Sequence, residues 1–301
     1  MLFVRRDDVA IRRALRERLA AGETLRFPGA FSPLVARSVA DIGFDGVYVS
    51  GAVTANDLGY PDVGLTTLSE VADRAGRIAR ATALPTLVDA DTGFGEPLSV
   101  ARSVQEFEDR GLAGLHLEDQ VNPKRCGHLD GKALVSTGDM VRKLAAAVAA
   151  RRDPGFLIVA RTDARSVEGL GSAIERAQAY VAAGADVVFC EALERLEEYA
   201  AFRDALAVPL LANMTEFGKT PLFHVSELAA VGVGIVIYPV TTLRVAMGAV
   251  ERSLRALRDE GHQRSAIEGM QTRSRLYELV EYDAYGELDA SVAQHGYDES
   301  S

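Results

Sequence analysis

From Leu25 onward the chain alternates short apolar runs with longer segments in which apolar positions recur at helical spacing. The runs are TLRFPG (24–29), GVYVSG (46–51), LPTLVDAD (84–91), AGLHLED (113–119), GFLIVARTD (155–163), DVVFCEA (186–192), VPLLANMT (208–215) and GIVIYPV (234–240). Each reads as a strand, and segments such as LSEVADRAGRIARAT, SVARSVQEFEDRG and GSAIERAQAYVAAG read as the helices between them. The last two close on a glycine, where a C-cap is expected. Eight β/α repeats within about 250 residues predict a (β/α)8 TIM barrel rather than an open doubly wound sheet. No GxGxxG follows the first strand, which agrees.

Without a low-complexity linker or a longer internal repeat, the sequence predicts one domain over 1–301. Residues 1–22 form an N-terminal helix, 24–240 the barrel and 241–301 additional C-terminal helices. The stretch from about Thr241 to Tyr285 is longer than one barrel helix needs, which points to packing on another subunit. The opening MLFVRRDDVAIRRALRERLA has an apolar run too short for a secretory signal or a membrane span. Its acids Asp7, Asp8 and Glu17 argue against a transit peptide and for an amphipathic helix lying on the body.

Charge narrows the partners. With 33 Lys and Arg against 43 Asp and Glu, the net charge of -10 disfavours nucleic acid, which selects a dense basic face. An anionic ligand must therefore be held by a few arginines or a metal. Only two cysteines occur among 301 residues, too few for a disulfide framework, so a reducing cytoplasm is the expected compartment.

A barrel sets its chemistry at the C-terminal ends of its strands. Here those ends carry Ser50, Asp89 and Asp91, Glu118 and Asp119, Arg161 and Asp163, Glu191, and Asn213 and Thr215. Polar residues must end any strand, but so many converging on one mouth favour function over solvation. Asp89 and Asp91, two apart, are expected on one side of the third strand. Two such carboxylates repel unless a hard cation lies between them, and Mg2+ with several waters suits the pair, Glu118 holding one water. Cys126 lies in EDQVNPKRCGHLDGK, a loop long enough to act as a lid, with Gly127 and Gly131 as hinges. Lys124, Arg125 and His128 around it are expected to lower the pKa of the thiol. Cys190, inside VVFCEA, reads as a small buried hydrophobe, while its neighbour Glu191 faces the mouth. Arg161, Arg244 and Arg273 are the arginines assigned to substrate carboxylates, although a solvated helix face accounts equally well for the last two.

KRCGH after a strand ending LED, VDADTGFG one strand earlier and ANMTEFG on the seventh strand resemble the isocitrate lyase and phosphoenolpyruvate mutase superfamily over nearly the whole chain. The Cys-bearing loop is similar to that of the lyases rather than of the mutases or oxaloacetate decarboxylases. The longer isocitrate lyases carry a large insertion and tend to have Trp where this chain has Phe189, so the smaller ring leaves room for an extra substrate methyl.

The resemblance implies Mg2+ on Asp89 and Asp91, with Asp62 and Glu118 placing its waters. It implies substrate contacts from Ser50, Gly51, Ala52, Gly127, Arg161, Asn213, Thr215, Arg244 and Arg273; Ala52 departs from the more usual SGG. It implies retro-Claisen cleavage of a small tricarboxylate like 2-methylisocitrate to pyruvate and succinate, as in propionate catabolism by the methylcitrate cycle. Tyr48, with Glu191 nearby, would take the hydroxyl proton, His128 would offset charge, and Cys126 would act as general acid. The family's barrel is typically a homotetramer with exchanged C-terminal helices. Isocitrate and 2,3-dimethylmalate remain alternative substrates; a phosphonate mutase, a decarboxylase and a non-catalytic binding barrel are weaker alternatives.

Overall fold

The computed structural model describes residues 3–293; residues 1–2 of the expected N-terminal segment and 294–301 of the expected C-terminal one lie outside the described residues. Eight strands form, β1 (Leu25–Pro28), β2 (Val47–Val49), β3 (Thr86–Asp89), β4 (Gly114–Glu118), β5 (Leu157–Thr162), β6 (Val187–Cys190), β7 (Leu210–Asn213) and β8 (Val233–Tyr238). Each falls within one of the eight apolar runs, or overlaps it by all but one residue. They pair in parallel in the order β1-β8-β7-β6-β5-β4-β3-β2. A parallel bridge between Gly29 and Tyr48 joins β1 to β2, so the sheet is a (β/α)8 TIM barrel.

The first-unit helices are α1 (Asp8–Ala20), α2 (Pro33–Ile42), α3 (Gly51–Asp57), α4 (Leu68–Ala79), α5 (Pro97–Asp109), α6 (Thr137–Ala150), α7 (Ala164–Val167), α8 (Leu170–Ala182), α9 (Leu196–Ala205) and α10 (Val225–Ala230). They are followed by α11 (Thr241–Glu260), α12 (Arg273–Leu279) and α13 (Tyr282–Ala293). Their boundaries follow local chemistry. Thr67 and Glu70 form a reciprocal capping box at the start of α4. Gly111 and Gly184, at φ +80° and +101°, follow α5 and α8 as the sequence predicts. Asp7 caps α1 by accepting from the Ala10 N–H at 3.0 Å.

The chain folds as two compact units, Met1–Arg244 with the barrel and Val245–Ser301. Within the first, alternate strand positions point inward. Leu25, Phe27, Leu87, Leu157, Val159, Val187, Leu211 and Ile235 make an apolar interior together with Leu15 and Leu19 of α1, which lie in the same cluster. The intervening positions, such as Val88, Leu115, Ile158 and Val188, face the surrounding helices. Burying a Leu of this kind contributes about 2–3 kcal/mol. In the second unit α11 exposes Val250, Leu254 and Leu257 at helical spacing. No described helix is long and apolar enough to cross a membrane.

Candidate active site

Continued one or two residues further, the inward rows of four strands turn from apolar to polar or charged. On β5 the row runs Leu157, Val159, Arg161; on β6, Val187, Phe189, Glu191; on β4, Gly114, His116, Glu118; on β7, Leu211, Asn213 and then Thr215. Parallel register sets Glu118 beside Arg161 and Asp89 beside His116. The polar ends surround a cavity of about 240 Å³. Tyr48, Ser50, Ala52, Asp62, Asp89, Cys126, Gly127, His128, Arg161, Glu191, Asn213, Thr215 and Arg244 line it. Gly51 lies behind the wall, Asp91 and Glu118 are buried beside it, and Arg273 belongs to the second unit as the exposed first residue of α12.

Asp89 is the best-held carboxylate. Its Oδ2 accepts the Gly51 N–H at 3.0 Å, at the first turn of α3, and its Oδ1 accepts the Asp91 N–H at 3.0 Å. A Cβ on Gly51 would come within 2.9 Å of Asp89 Oδ2, so this close approach requires glycine. Ser50 caps α3 by accepting the Val53 N–H at 3.4 Å, and its hydroxyl hydrogen stays available to a ligand. Asp91 corrects the simple strand argument: β3 ends at Asp89, and Asp91 follows in a left-handed turn at φ +46°. That turn, which Asp tolerates better than most residues, rather than the pleat, brings the two carboxylates together. Burial and the neighbouring Asp89 push the Asp91 carboxyl up to about 6.

Lys124 shows why the basic segment does not act on the thiol. Its ammonium is 2.7 Å from Asp91 Oδ1 and also pairs with Asp62. Arg125 points instead to the Asp130 carbonyl at 3.5 Å. The expectation of a lowered Cys126 pKa is thereby overturned. Burial, with Glu191 and Asp62, raises it above the ordinary thiol value despite the His128 N–H and Arg161. Cys126 is held as a thiol, the form that donates a proton. Cys190 is buried in the outer row of β6, as expected.

Arg161 is a hub, 3.2 Å from Glu118, 3.0 Å from Asp163 and 3.3 Å from Glu191, with its guanidinium over the Phe189 ring. Glu191 also receives His128 Nε2 at 3.2 Å. His128 Nδ1 accepts the Lys219 N–H at 3.0 Å, which leaves the ring proton on Nε2 for Glu191. Arg161 and His128 hold Glu191 ionised, far below the usual carboxylate range, against its burial. Arg244 sits at the rim, 3.0 Å from Glu216, and is half exposed.

His116 is the buried functional candidate that the sequence reading omits. Its Nε2 is 2.6 Å from the Tyr48 hydroxyl and 3.5 Å from Asp89. Burial lowers its pKa and so favours the neutral ring; burial and Asp89 raise that of Tyr48 and keep the phenol protonated. The signal was present, because His116 occupies the inward position between Gly114 and Glu118.

The donor set fits a divalent cation. Asp89, Asp91, Glu118, Asp119, Asp163 and Glu191 are buried at this end of the barrel against Lys124, Lys132 and Arg161. Asp91 Oδ1 has the Lys124 ammonium as its partner and Glu118 Oε2 has Arg161, whereas Oε1 of Glu118 is buried without a hydrogen bond, and burial raises the Glu118 pKa well above its ordinary value. A mouth in which buried carboxylates outnumber the cations takes an anionic substrate only with added positive charge. Among the described residues no three His, Cys, Asp or Glu side chains form a complete metal cage; a hard ion that keeps several waters needs none.

Residues 15–258 match the family described as phosphoenolpyruvate phosphomutase. The chain is 60% identical to "Probable 2-methylisocitrate lyase 2" of Corynebacterium glutamicum, with 95% of this chain and 94% of that protein covered. It superposes on oxaloacetate acetylhydrolase bound to 3,3-difluorooxalacetate with a TM-score of 0.88 and 37% identity, over 96% of this chain and 99% of the other. A phosphonopyruvate hydrolase complex with oxalate and Mg++ is similar at a TM-score of 0.83 and 30% identity, over 94% and 98% of the two chains.

Proposed function

The chain belongs to the phosphoenolpyruvate phosphomutase family, and from that premise we propose that it is an oxo-acid lyase cleaving 2-methylisocitrate to pyruvate and succinate. The observation that carries this reading is the Cys126 thiol lining the same cavity as Asp89, Arg161 and Glu191, where burial favours its protonated form. The phosphonate chemistry of mutases has no need of such a thiol. The 60% identity to a protein named for this activity supports the substrate.

Asp89 and Asp91, with Asp62 and Glu118 through waters, would hold Mg2+, which when bound stabilises the oxygen charge that develops during cleavage. Arg161, with Arg244 at the rim, binds the substrate carboxylates, and Ser50, Gly51 and Ala52 receive the part that becomes pyruvate. Asn213, Thr215 and Gly127 complete the contacts. The substrate hydroxyl proton passes to Tyr48, whose own proton goes to neutral His116 along their 2.6 Å contact. The carbon-carbon bond then breaks, its electron pair staying on the succinate-side carbon. Cys126 donates its thiol proton there, and solvent exchange returns the proton held by His116 to the thiolate. Glu191 keeps Arg161 and His128 oriented. Phe189 leaves space for the substrate methyl.

The test is α-oxo acid release from 2-methylisocitrate, isocitrate and 2,3-dimethylmalate by the purified chain with Mg2+. Pyruvate and succinate should appear fastest from 2-methylisocitrate; cleavage of none of the three would overturn the reading. We place the enzyme in the cytoplasm, within propionate catabolism, as a homotetramer that covers the exposed Val250, Leu254 and Leu257 of α11 by helix exchange. Sedimentation at the mass of a monomer would contradict that assembly.

A further inference from the structure

Lys132 stands on the far side of the Cys126 loop and is not among the residues lining the cavity. Its side chain is only 1% exposed, so its ammonium must find partners inside the protein. It has two: the Asp163 carboxylate at 2.9 Å and the backbone carbonyl of Gly127, the residue next to the thiol.

The anchor does not depend on the loop. Asp163 is buried at the end of β5, its N–H donates to Asp119 Oδ1 at 2.9 Å, and its carboxylate takes Arg161 Nε at 3.0 Å. Asp119 is itself fixed by the Thr162 hydroxyl at 2.7 Å and the Tyr180 hydroxyl at 2.8 Å. On its other side Gly127 is pressed against the site. A Cβ there would lie 2.4 Å from Arg161 Nη2 and 2.4 Å from Glu191 Cγ. Gly127 is therefore clamped between Lys132 and the Arg161–Glu191 pair, and the clamp fixes where the adjoining thiol can sit. Other ties on this loop do not engage the Gly127 carbonyl: Gln120 Nε2 donates to the Arg125 carbonyl at 2.9 Å, and the His128 ring meets Glu191 and the Lys219 N–H. Lys124 holds its entry to Asp62 and Asp91, and the Lys219–Asp130 pair is solvent-exposed, a geometry that contributes little.

We infer that Lys132 is a positioning residue that seats the Cys126 thiol over the cavity, by holding the Gly127 carbonyl to the barrel through Asp163. Its effect on turnover rests on the lyase reading; its effect on the thiol does not. Replacing it with an apolar residue leaves the Gly127 carbonyl and an Asp163 oxygen without their shared donor, and the loop tip loses its fixed seat.

The full chain with Mg2+ is compared with its Lys132→Met and Lys132→Arg variants. In Lys132→Met, alkylation of Cys126 by iodoacetamide, followed on its own peptide, should accelerate about tenfold as the loop loosens. Turnover of 2-methylisocitrate should fall about 100-fold in kcat with KM changed less than about threefold, because a misplaced proton donor spoils the transition state more than binding. Lys132→Arg, which retains a cation, should lie between. In a Cys126→Ser background, Lys132→Met should change the residual kcat less than about twofold. Unchanged alkylation, or an equal loss with and without the thiol, overturns the inference. If Lys132→Met does not fold, Lys132→Gln carries the same comparison. A wild-type chain that cleaves no substrate sinks the lyase reading alone, and the alkylation rates still decide the role of Lys132.

Discussion

The two ends of the barrel interior are built on the same inward rows and filled by opposite rules. At the base, Leu25, Leu157, Val187 and Ile235 meet Leu15 and Leu19 of α1 in an apolar cluster. At the mouth the rows of β4, β5 and β6 end in Glu118, Arg161 and Glu191, all buried, and buried atoms of Glu118, His116 and Asn213 lack a hydrogen bond. Each buried polar group without a partner is unfavourable by about 1–3 kcal/mol, and each fully buried aliphatic side chain contributes about 1.5–3 kcal/mol. The base thus offsets a mouth that is unstable by itself. What separates the two is one more step of a two-residue period. A barrel can alter its chemistry at the ends of its strands without disturbing the layers beneath.

The largest effect expected lies at the mouth and leaves the base untouched. Cys126→Ser should lower kcat for 2-methylisocitrate about 10³-fold, within the range for a lost general acid, while the unfolding midpoint stays within a degree or two. A serine hydroxyl is a far weaker acid than a thiol of similar size. Full turnover in this variant would remove Cys126 from the reaction and with it the division of labour between mouth and base.

The reverse experiment belongs to the base. Leu19→Ala removes a buried side chain from the apolar cluster and should destabilise the chain by about 2–5 kcal/mol in denaturant unfolding. Below the unfolding temperature its kcat should stay within about twofold of wild type. A large fall in kcat without a matching loss of stability would show that the two ends are coupled more tightly than their separate fillings imply.

Much of this contrast was legible in the sequence, since apolar runs gave the strands and their polar termini gave most of the mouth. The period-2 rule ran out where the backbone leaves the pleat. Asp91 reaches the site through a left-handed turn, and its proximity to Asp89 was inferred from a strand that had already ended. Lys124 and Arg125 were read as neighbours of Cys126 because they precede it, but loop geometry sends their charge to Asp62, Asp91 and the Asp130 carbonyl. Sequence adjacency says nothing of where a long flexible side chain ends. His116 was missed for the opposite reason: a lone histidine in an apolar run reads as core, and only its contacts with Tyr48 and Asp89 distinguish it. Residue 273 lies beyond any such rule, because a helix position carries no register toward a barrel mouth.

The smallest effect is the one that ties the polar mouth to its missing charge. In the metal-free chain the Asp91 carboxyl is pushed up to about 6, against 3.8 for an ordinary aspartate. A folded pKa above the unfolded one means that the folded state holds the proton more tightly. The associated stability is complete below about pH 4 and is lost as pH rises through about 6, a change of about 3 kcal/mol at most. Asp89, whose pKa is lowered, acts in the other direction and only below its ordinary value, outside this window. A divalent cation requires Asp91 ionised, so Mg2+ must displace the proton below pH 6, whereas above it the only competing cation is the Lys124 ammonium, whose charge does not change in this range. Apparent Mg2+ affinity, read from the rise in unfolding midpoint, should therefore be level above about pH 6.5 and fall toward tenfold per unit below pH 6. Leu19→Ala should lower every midpoint in that series by a similar amount and leave its pH dependence in place, since Leu19 packs among apolar side chains and takes no part in the cavity beside Asp91. An Mg2+ effect equal at pH 5 and pH 7 would take Asp91 out of the metal site and leave Lys124 as its only cation.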